Sequence, residues 1–415
     1  MNIRILGGAR EIGGNCIELE TDGQRLLLDI GRPLSAGPDD DVPMPDVAGL
    51  TTGEDASLRG IVISHGHLDH YGLIADAHPN VPVFMGEAAA RILAEAAFFL
   101  RDPVVPSPGG FLKDRVPLDI GPFRVTPYLV DHSAFDAYAL LVEAGGERLF
   151  YTGDLRAHGR KGRLFDRLIA EPPPDLDVLL SEATNVRADG APQGPVWTES
   201  DLENRFVDAF QATTGLALVA FSVQNIDRLV TVYRAARRAG RELAVDLYAA
   251  TVARATGHAS IPQPPSAGRR FDGYRVFVPL SQRVRVKDQQ QFERVNWVRD
   301  IRVFPEELAA HPERFVLLFR GSMMRDLRFM ASLDGPGLAD AKAWWSLWKG
   351  YLEEPSGRRL QDDLASLSIP LDVLHTSGHA SVADLRRLRD ALNARKTIYL
   401  HTEHPDAAQV ITCNG

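Results

Sequence analysis

The chain has 415 residues, a length that sets an expectation of two to three domains. Apolar residues make up 45% and charged residues 24%, which excludes a disordered chain, a collagen and a coiled-coil rod. Forty-six basic against 55 acidic residues leave a net charge of −9, which excludes a protein that coats nucleic acid through a broad basic face.

In chain order, short strands are predicted at residues 3–6, 15–19, 25–29 and 60–64, from β-branched and Leu-rich runs bounded by Gly, Asp and Pro. A helix is predicted at 86–101, then strands at 123–130, 137–143, 148–151 and 177–181. The Gly, Pro and Ala-rich stretch 187–195 reads as a boundary. From 196 the texture changes to strand–helix alternation: helix 200–212, strand 216–221, helix 225–239, strand 242–247 and another helix. That alternation predicts a parallel α/β layer. Residues 257–279 read as turn-rich, and Trp344 and Trp345 sit in a helix-like segment. Strands are expected again at 315–319, 371–374 and 397–400.

The longest apolar stretches, 215–221 and 88–100, fall short of the ~20 residues of a membrane span. The start runs directly into a strand-like segment with no leader pattern, so a soluble cytoplasmic protein is expected. Cys16 and Cys413 are too few for a disulfide framework or a cysteine metal cluster and read as two inert thiols.

Six strand-like runs end at ligand-type residues: His65, Asp131-His132, Asp154, Glu182, His375 and His401. Residues just past strand ends gather at one edge of a sheet, so these endings predict one shared site. The densest motif is Ser64-His65-Gly66-His67-Leu68-Asp69-His70, three imidazoles and a carboxylate within six residues. Such donors suit a borderline-soft divalent cation. His65 and His67 reach one ion from a tight loop, while Asp69 and His70 point to a second position.

This motif resembles the dinuclear His-x-His-x-Asp-His signature of the metallo-β-lactamase superfamily. The resemblance implies an αββα sandwich of class α/β. It also implies that His132 completes the first cation's ligands, that Asp154 bridges the two, and that Asp29 supports a ligand without binding metal. A domain-sized insertion is expected at 196–360, dividing a first domain of residues 1–195 and 361–415, and it resembles the β-CASP α/β domain. His375-Thr376-Ser377-Gly378-His379-Ala380 and, 22 positions after His379, Leu400-His401 resemble the β-CASP nucleases, nearest their ribonuclease J-like branch. So do Glu11–Asn15 of the opening loop, Phe221-Ser222-Val223-Gln224-Asn225 and Gly321-Ser322.

By that resemblance Glu182 orients a ligand histidine, His379 donates a hydrogen bond to a phosphate oxygen, and His401 completes the second cation's ligands beside Asp69 and His70. The 22-residue spacing favours His401 over His404. Ser377, Gly378, Ser222 and Ser322 are expected to cradle phosphate, and the arginines of 156–163 to track RNA. The implied enzyme is a two-metal ribonuclease with Asp69, Asp154, His379 and Glu182 in catalytic roles. Two cations ~3.5–4 Å apart, zinc or manganese, would activate water, position the scissile phosphate and stabilise the leaving oxygen. It would act on single-stranded RNA from the 5′ end, with endonucleolytic cutting as a second mode, and leave 5′-phosphates. The histidine at 401 favours RNA. Competing readings are a DNA-directed nuclease of the same group and a lactonase-like hydrolase of small molecules.

Two departures bear on this. Met323-Met324-Arg325 follow Gly321-Ser322 where the family has Gln-Gly-Glu, and the sequence runs only 14 residues past His401, as expected of a short form without the family's C-terminal domain. A homodimer is the assembly left open.

Overall fold

The computed structural model describes residues 1–37, 39–189, 196–264 and 273–413, with residues 411–413 described by backbone alone. The predicted boundary loop therefore lies largely outside the described residues, as does the Cys413 side chain. The chain separates into two compact units, Met1–Val196 with Gly378–Gly415, and Trp197–Ser377.

In the first unit β1 (Asn2–Gly7), β2 (Cys16–Thr21), β3 (Gln24–Leu28), β4 (Leu58–Val62), β5 (Val83–Gly86) and β6 (Pro108–Leu112) form one sheet in chain order. The first three strands are antiparallel and the rest parallel. A second sheet starts with β7 (Leu118–Ile120), β8 (Phe123–Leu129), β9 (Tyr138–Ala144), β10 (Glu147–Tyr151) and β11 (Val178–Glu182). Ile17, Leu19, Leu28 and Val62 of the first sheet pack with Val125, Leu140, Val142 and Leu180 of the second in one buried cluster. The outer faces are covered by helices. Ala89 and Leu93 of Glu87–Ala97 join the core against the first sheet, and Phe165, Leu168, Leu385 and Leu388 cover the second. Two sheets buried against each other and capped by helices make the expected αββα sandwich.

The second unit holds β12 (Ala217–Ala220), β13 (Glu242–Asp246), β14 (Arg275–Phe277), β15 (Arg302–Val303), β16 (Phe315–Leu318), β17 (Lys342–Trp345) and β18 (Leu371–Val373). They form one sheet in the order β15-β14-β13-β16-β12-β17-β18, with every pairing parallel. Trp344 and Trp345 thus lie in a strand, not a helix. An apolar run of strand length, buried on both faces, has no periodicity that separates the two. The segment 361–377 also differs from expectation: β18 extends this sheet, so the chain re-enters the first unit at Gly378 rather than at 361.

After that return β19 (Lys396–Leu400) pairs parallel to β11, beside β10. The C-terminal ends of β10, β11 and β19 therefore share an edge, which sets Asp154, Glu182 and His401 side by side. β8 runs the same way as β10, since both are antiparallel to β9. His132 joins the same edge. Asp29 (φ 59°) and His401 (φ 52°) sit just past strand ends in the left-handed region. That conformation costs an L-residue roughly 1 kcal/mol or more and is held where surrounding contacts demand it.

Among the described residues no helix is long and apolar enough to cross a membrane. Cys16 is buried in β2, and burial, with Asp29 and Glu18 nearby, pushes its thiol up to about 12. Since the thiolate is the reactive form, a Cys413→Ser variant is expected to resist iodoacetamide at pH 8 while folded and to react once unfolded. Labelling of the native chain at the unfolded rate would contradict this. The same shift makes the thiol a stabilising group below the unfolded value near 9, with the contribution lost as pH rises toward 12.

Candidate metal centre

The loop after β4 turns at Ser64 and delivers His65, His67, Asp69 and His70 within one turn, the last two on the short helix Leu68–Tyr71. Two groups of ligand atoms result, each lying within 4.8 Å of one another: His65, His67, His132 and Asp154, and Asp69, His70, Asp154 and His401. Asp154 belongs to both. Its Oδ2 is 3.2 Å from His70 Nε2, 3.6 Å from His401 Nε2, 3.7 Å from His65 Nε2 and 4.0 Å from His132 Nε2.

His65 Nε2, His70 Nε2 and both Asp154 oxygens are buried without a hydrogen-bond partner. Buried polar atoms are normally satisfied, and four such atoms within the two ligand groups fit the binding of divalent cations. The donor set, imidazoles with carboxylates, fits divalent cations.

The opposite edges of the rings are held. His70 Nδ1 lies 2.7 Å from Asp29 Oδ2, which also accepts from Ser64 Oγ (2.8 Å) and Tyr151 OH (2.6 Å), while Asp29 Oδ1 accepts from Ser64 N. Asn15 Nδ2 donates in turn to Tyr151 OH. His132 Nδ1 donates to the Gly378 carbonyl at 2.7 Å, and His401 Nδ1 lies 2.8 Å from Thr184 Oγ1. The carboxylate at His70 and the carbonyl at His132 can only accept, so those two bonds place the proton on Nδ1 and leave Nε2 for metal.

Burial lowers the pKa values of His65, His67 and His132, keeping those imidazoles neutral as a ligand must be. For His70 and His401 burial acts the same way but is outweighed, chiefly by Asp154, and the net direction is up. Asp154 is driven well below the carboxylate range, because His401, His70 and His379 outweigh its burial. Glu182 goes the other way, up to about 7, through burial and the nearby Asp154 charge. Burial lowers His379 to about 4, with Asp154 opposing.

Several expectations are revised by these contacts. Glu182 touches no ligand ring within hydrogen-bond distance. Its Oε1 accepts from Ala380 N (2.8 Å) and its Oε2 from Thr184 N (2.9 Å), so the group at His401 is Thr184. His375 lies in the second unit, with Nδ1 3.5 Å from Arg228 Nη1, and belongs to neither ligand group. Arg156 does not track phosphate: it is fully buried, its backbone N–H on Asp131 O and its Nε 3.6 Å from Asp131 Oδ1. Asp131 also accepts from Gly159 N and thereby braces the loop that carries His132. Gly378 serves through its carbonyl, and a Cβ there would sit 2.8 Å from Ser133 Oγ.

Ser222 and Ser377 belong to the second unit, where Ser222 lines a cavity of about 480 Å³ with Tyr248, Arg320, Trp345 and Tyr351; Gly321 rather than Ser322 reaches it. His404 is outside both ligand groups, its ring 3.9 Å from Glu403. Nothing in the sequence assigns a role to the side chains of Tyr151, Asn15 and Thr184. A polar residue closing or following an apolar strand is the signal that would have flagged Tyr151 and Thr184.

Residues 9–195 match the metallo-beta-lactamase superfamily model. Ribonuclease J of Mycobacterium tuberculosis (strain ATCC 25618 / H37Rv) is 28% identical over 265 residues, covering 59% of this chain and 44% of that protein. Ribonuclease J of Sinorhizobium meliloti is 31% identical over 254 residues, covering 57% and 43%. Ribonuclease J of Synechocystis sp. is 27% identical over 315 residues, covering 70% and 45%. The matched region thus spans less than half the length of these relatives. A crystal structure of a protein of unknown function from Enterococcus faecalis V583 shares the fold, with a TM-score of 0.76 and 18% identity over 98% of this chain and 95% of that one. Residues 9–195 are thus similar to the metallo-beta-lactamase superfamily, and the three relatives compared above are ribonucleases J.

Proposed function

We propose that the chain is a metal-dependent ribonuclease that hydrolyses phosphodiester bonds of single-stranded RNA with two divalent cations. The observation that carries this is the pair of buried ligand groups joined at Asp154, with partnerless nitrogens and oxygens facing inward. His65, His67 and His132 would hold one cation, Asp69, His70 and His401 the other, and Asp154 both. When bound, two such cations lower the pKa of coordinated water and neutralise charge on a transferring phosphoryl group. Asp29 and the Gly378 carbonyl keep His70 and His132 in the ligating tautomer. The three imidazoles of the first group favour zinc, with manganese as the second choice.

Preference for RNA is supported by the relatives' names and by the histidine at 401. Exonuclease action from the 5′ end, a cytoplasmic setting and a homodimeric assembly belong to the same proposal. The test is end-labelled single-stranded RNA and DNA, with 5′-phosphate or 5′-hydroxyl, incubated with Zn²⁺ or Mn²⁺ and wild-type or Asp69→Ala protein. Mononucleotides released from 5′-phosphorylated RNA by the wild type alone are expected. RNA left intact under every metal would overturn the reading, and hydrolysis of a lactone panel in its place would install the small-molecule alternative.

A further inference from the structure

Loop 182–185 and loop 378–380 are clamped together through the backbone. Glu182 Oε1 accepts from Ala380 N, and Asn185 Nδ2 donates to the carbonyls of His379 and Ala380, both at 3.0 Å. Between these bonds the Thr184 hydroxyl stands within reach of two rings. Its Oγ1 is 2.8 Å from His401 Nδ1, 3.2 Å from His379 Nδ1 and 3.2 Å from the His401 carbonyl. A hydroxyl has one proton to give and two lone pairs. The carbonyl can only accept, so the arrangement that makes all three contacts is unique. Thr184 donates to His401 O, and both histidines donate from Nδ1 to Thr184 Oγ1. Charge agrees with this count: His379 Nδ1 also lies 3.6 Å from Asp154 Oδ2 and 3.8 Å from Glu182 Oε2, where an N–H is favoured over a lone pair.

We propose that Thr184 is a shared positioning residue that fixes the Nδ1–H tautomer of both His401 and His379. The proposal rests on the metal-centre reading for His401 and goes beyond it for His379. For His401 the consequence is a lone pair on Nε2, the atom 3.1 Å from Asp69 Oδ2 and 3.6 Å from Asp154 Oδ2. For His379 the consequence is that Nε2 of the neutral ring is an acceptor. An acceptor at Nε2 does not give a hydrogen bond to a phosphate oxygen, the role expected from the resemblance.

The test compares wild type with Thr184→Val, which keeps the branched shape and removes the hydroxyl, and with Thr184→Ser, which restores it. Affinity for a second equivalent of Zn²⁺ or Mn²⁺, read by chelator competition, is expected to fall about 10–100-fold in Thr184→Val, with the first equivalent retained, and to recover in Thr184→Ser. In the metal-free full chain labelled with ¹⁵N-histidine, His379, identified by difference from its Gln variant, is expected as the Nδ1–H tautomer. Wild-type affinity for both cations in Thr184→Val, or His379 protonated at Nε2 in the wild type, would overturn the proposal. A wild type that binds neither cation overturns the metal-centre reading instead, and the tautomer of His379 in the metal-free chain still decides the role of Thr184.

Discussion

On the proposed two-cation reading, Asp154→Asn is expected to leave the chain with at most one weakly held cation in place of two, and to bring RNA hydrolysis to background. The substitution keeps the volume of the side chain and changes only its chemistry. Five imidazole nitrogens surround Oδ2 at 3.2–4.0 Å, and neither carboxylate oxygen has a hydrogen bond to lose. An amide offers one acceptor instead of two, no charge, and an NH₂ that points at ligand lone pairs. Loss of a partner outside the ligand set typically costs 10–100-fold in metal affinity, and loss of the residue common to both groups should exceed that. His70 should also lose the largest upward influence on its pKa. Metal content after dialysis, measured by plasma mass spectrometry, checks the prediction; two tightly bound cations per Asp154→Asn chain would refute it.

The second large effect concerns the second unit. Glu199→Ala is expected to destabilise it by about 3–5 kcal/mol, because it leaves the Arg228 guanidinium buried without its anion. Arg228 and Glu199 are 0% and 1% exposed and meet in a two-point fork, Nη2–Oε1 at 3.0 Å and Nε–Oε2 at 3.3 Å. Thr231 Oγ1 adds a bond to Glu199, and Arg228 also donates to the carbonyls of Ser346 (2.8 Å) and Thr376 (3.3 Å). The fork therefore ties the helices Glu199–Gln211 and Ile226–Arg238 to the loops after β17 and β18. Replacing both partners by apolar residues removes the stranded charge, so Glu199→Ala with Arg228→Met should recover part of the loss. Urea unfolding of the wild type and the two variants is the measurement. A loss below ~1 kcal/mol in Glu199→Ala would show that the pair is solvated.

The ligand loop was legible because its chemistry is local. His65, His67, Asp69 and His70 fall within one turn after a buried strand, so spacing alone sets them together. The remaining ligands were legible only by order along the chain, since nothing in the spacing between His132, Asp154 and His401 says that three strands share an edge. Arg156 shows the limit from the other side. A guanidinium in a basic stretch reads as surface, and here Asp131 takes it into the interior. Tyr151, Asn15 and Thr184 escaped for a related reason: a neutral polar side chain has a role only when its partner, more than 100 residues away for Asn15–Tyr151 and Thr184–His401, is brought to it.

Composition and charge excluded a nucleic-acid coat, and local periodicity with the His-rich loop determined an α/β chain built around a divalent-metal centre. A net charge is a sum and a motif is a short-range pattern, so both survive without knowledge of the fold. The tertiary structure decided which carboxylate is common to both ligand groups and which hydroxyl holds His401 and His379. It also moved His375 to the second unit and set the chain's return at Gly378 rather than 361. Those are questions of which strand ends meet, and parallel pairing of β10, β11 and β19 across more than 200 residues answers them where no local signal can.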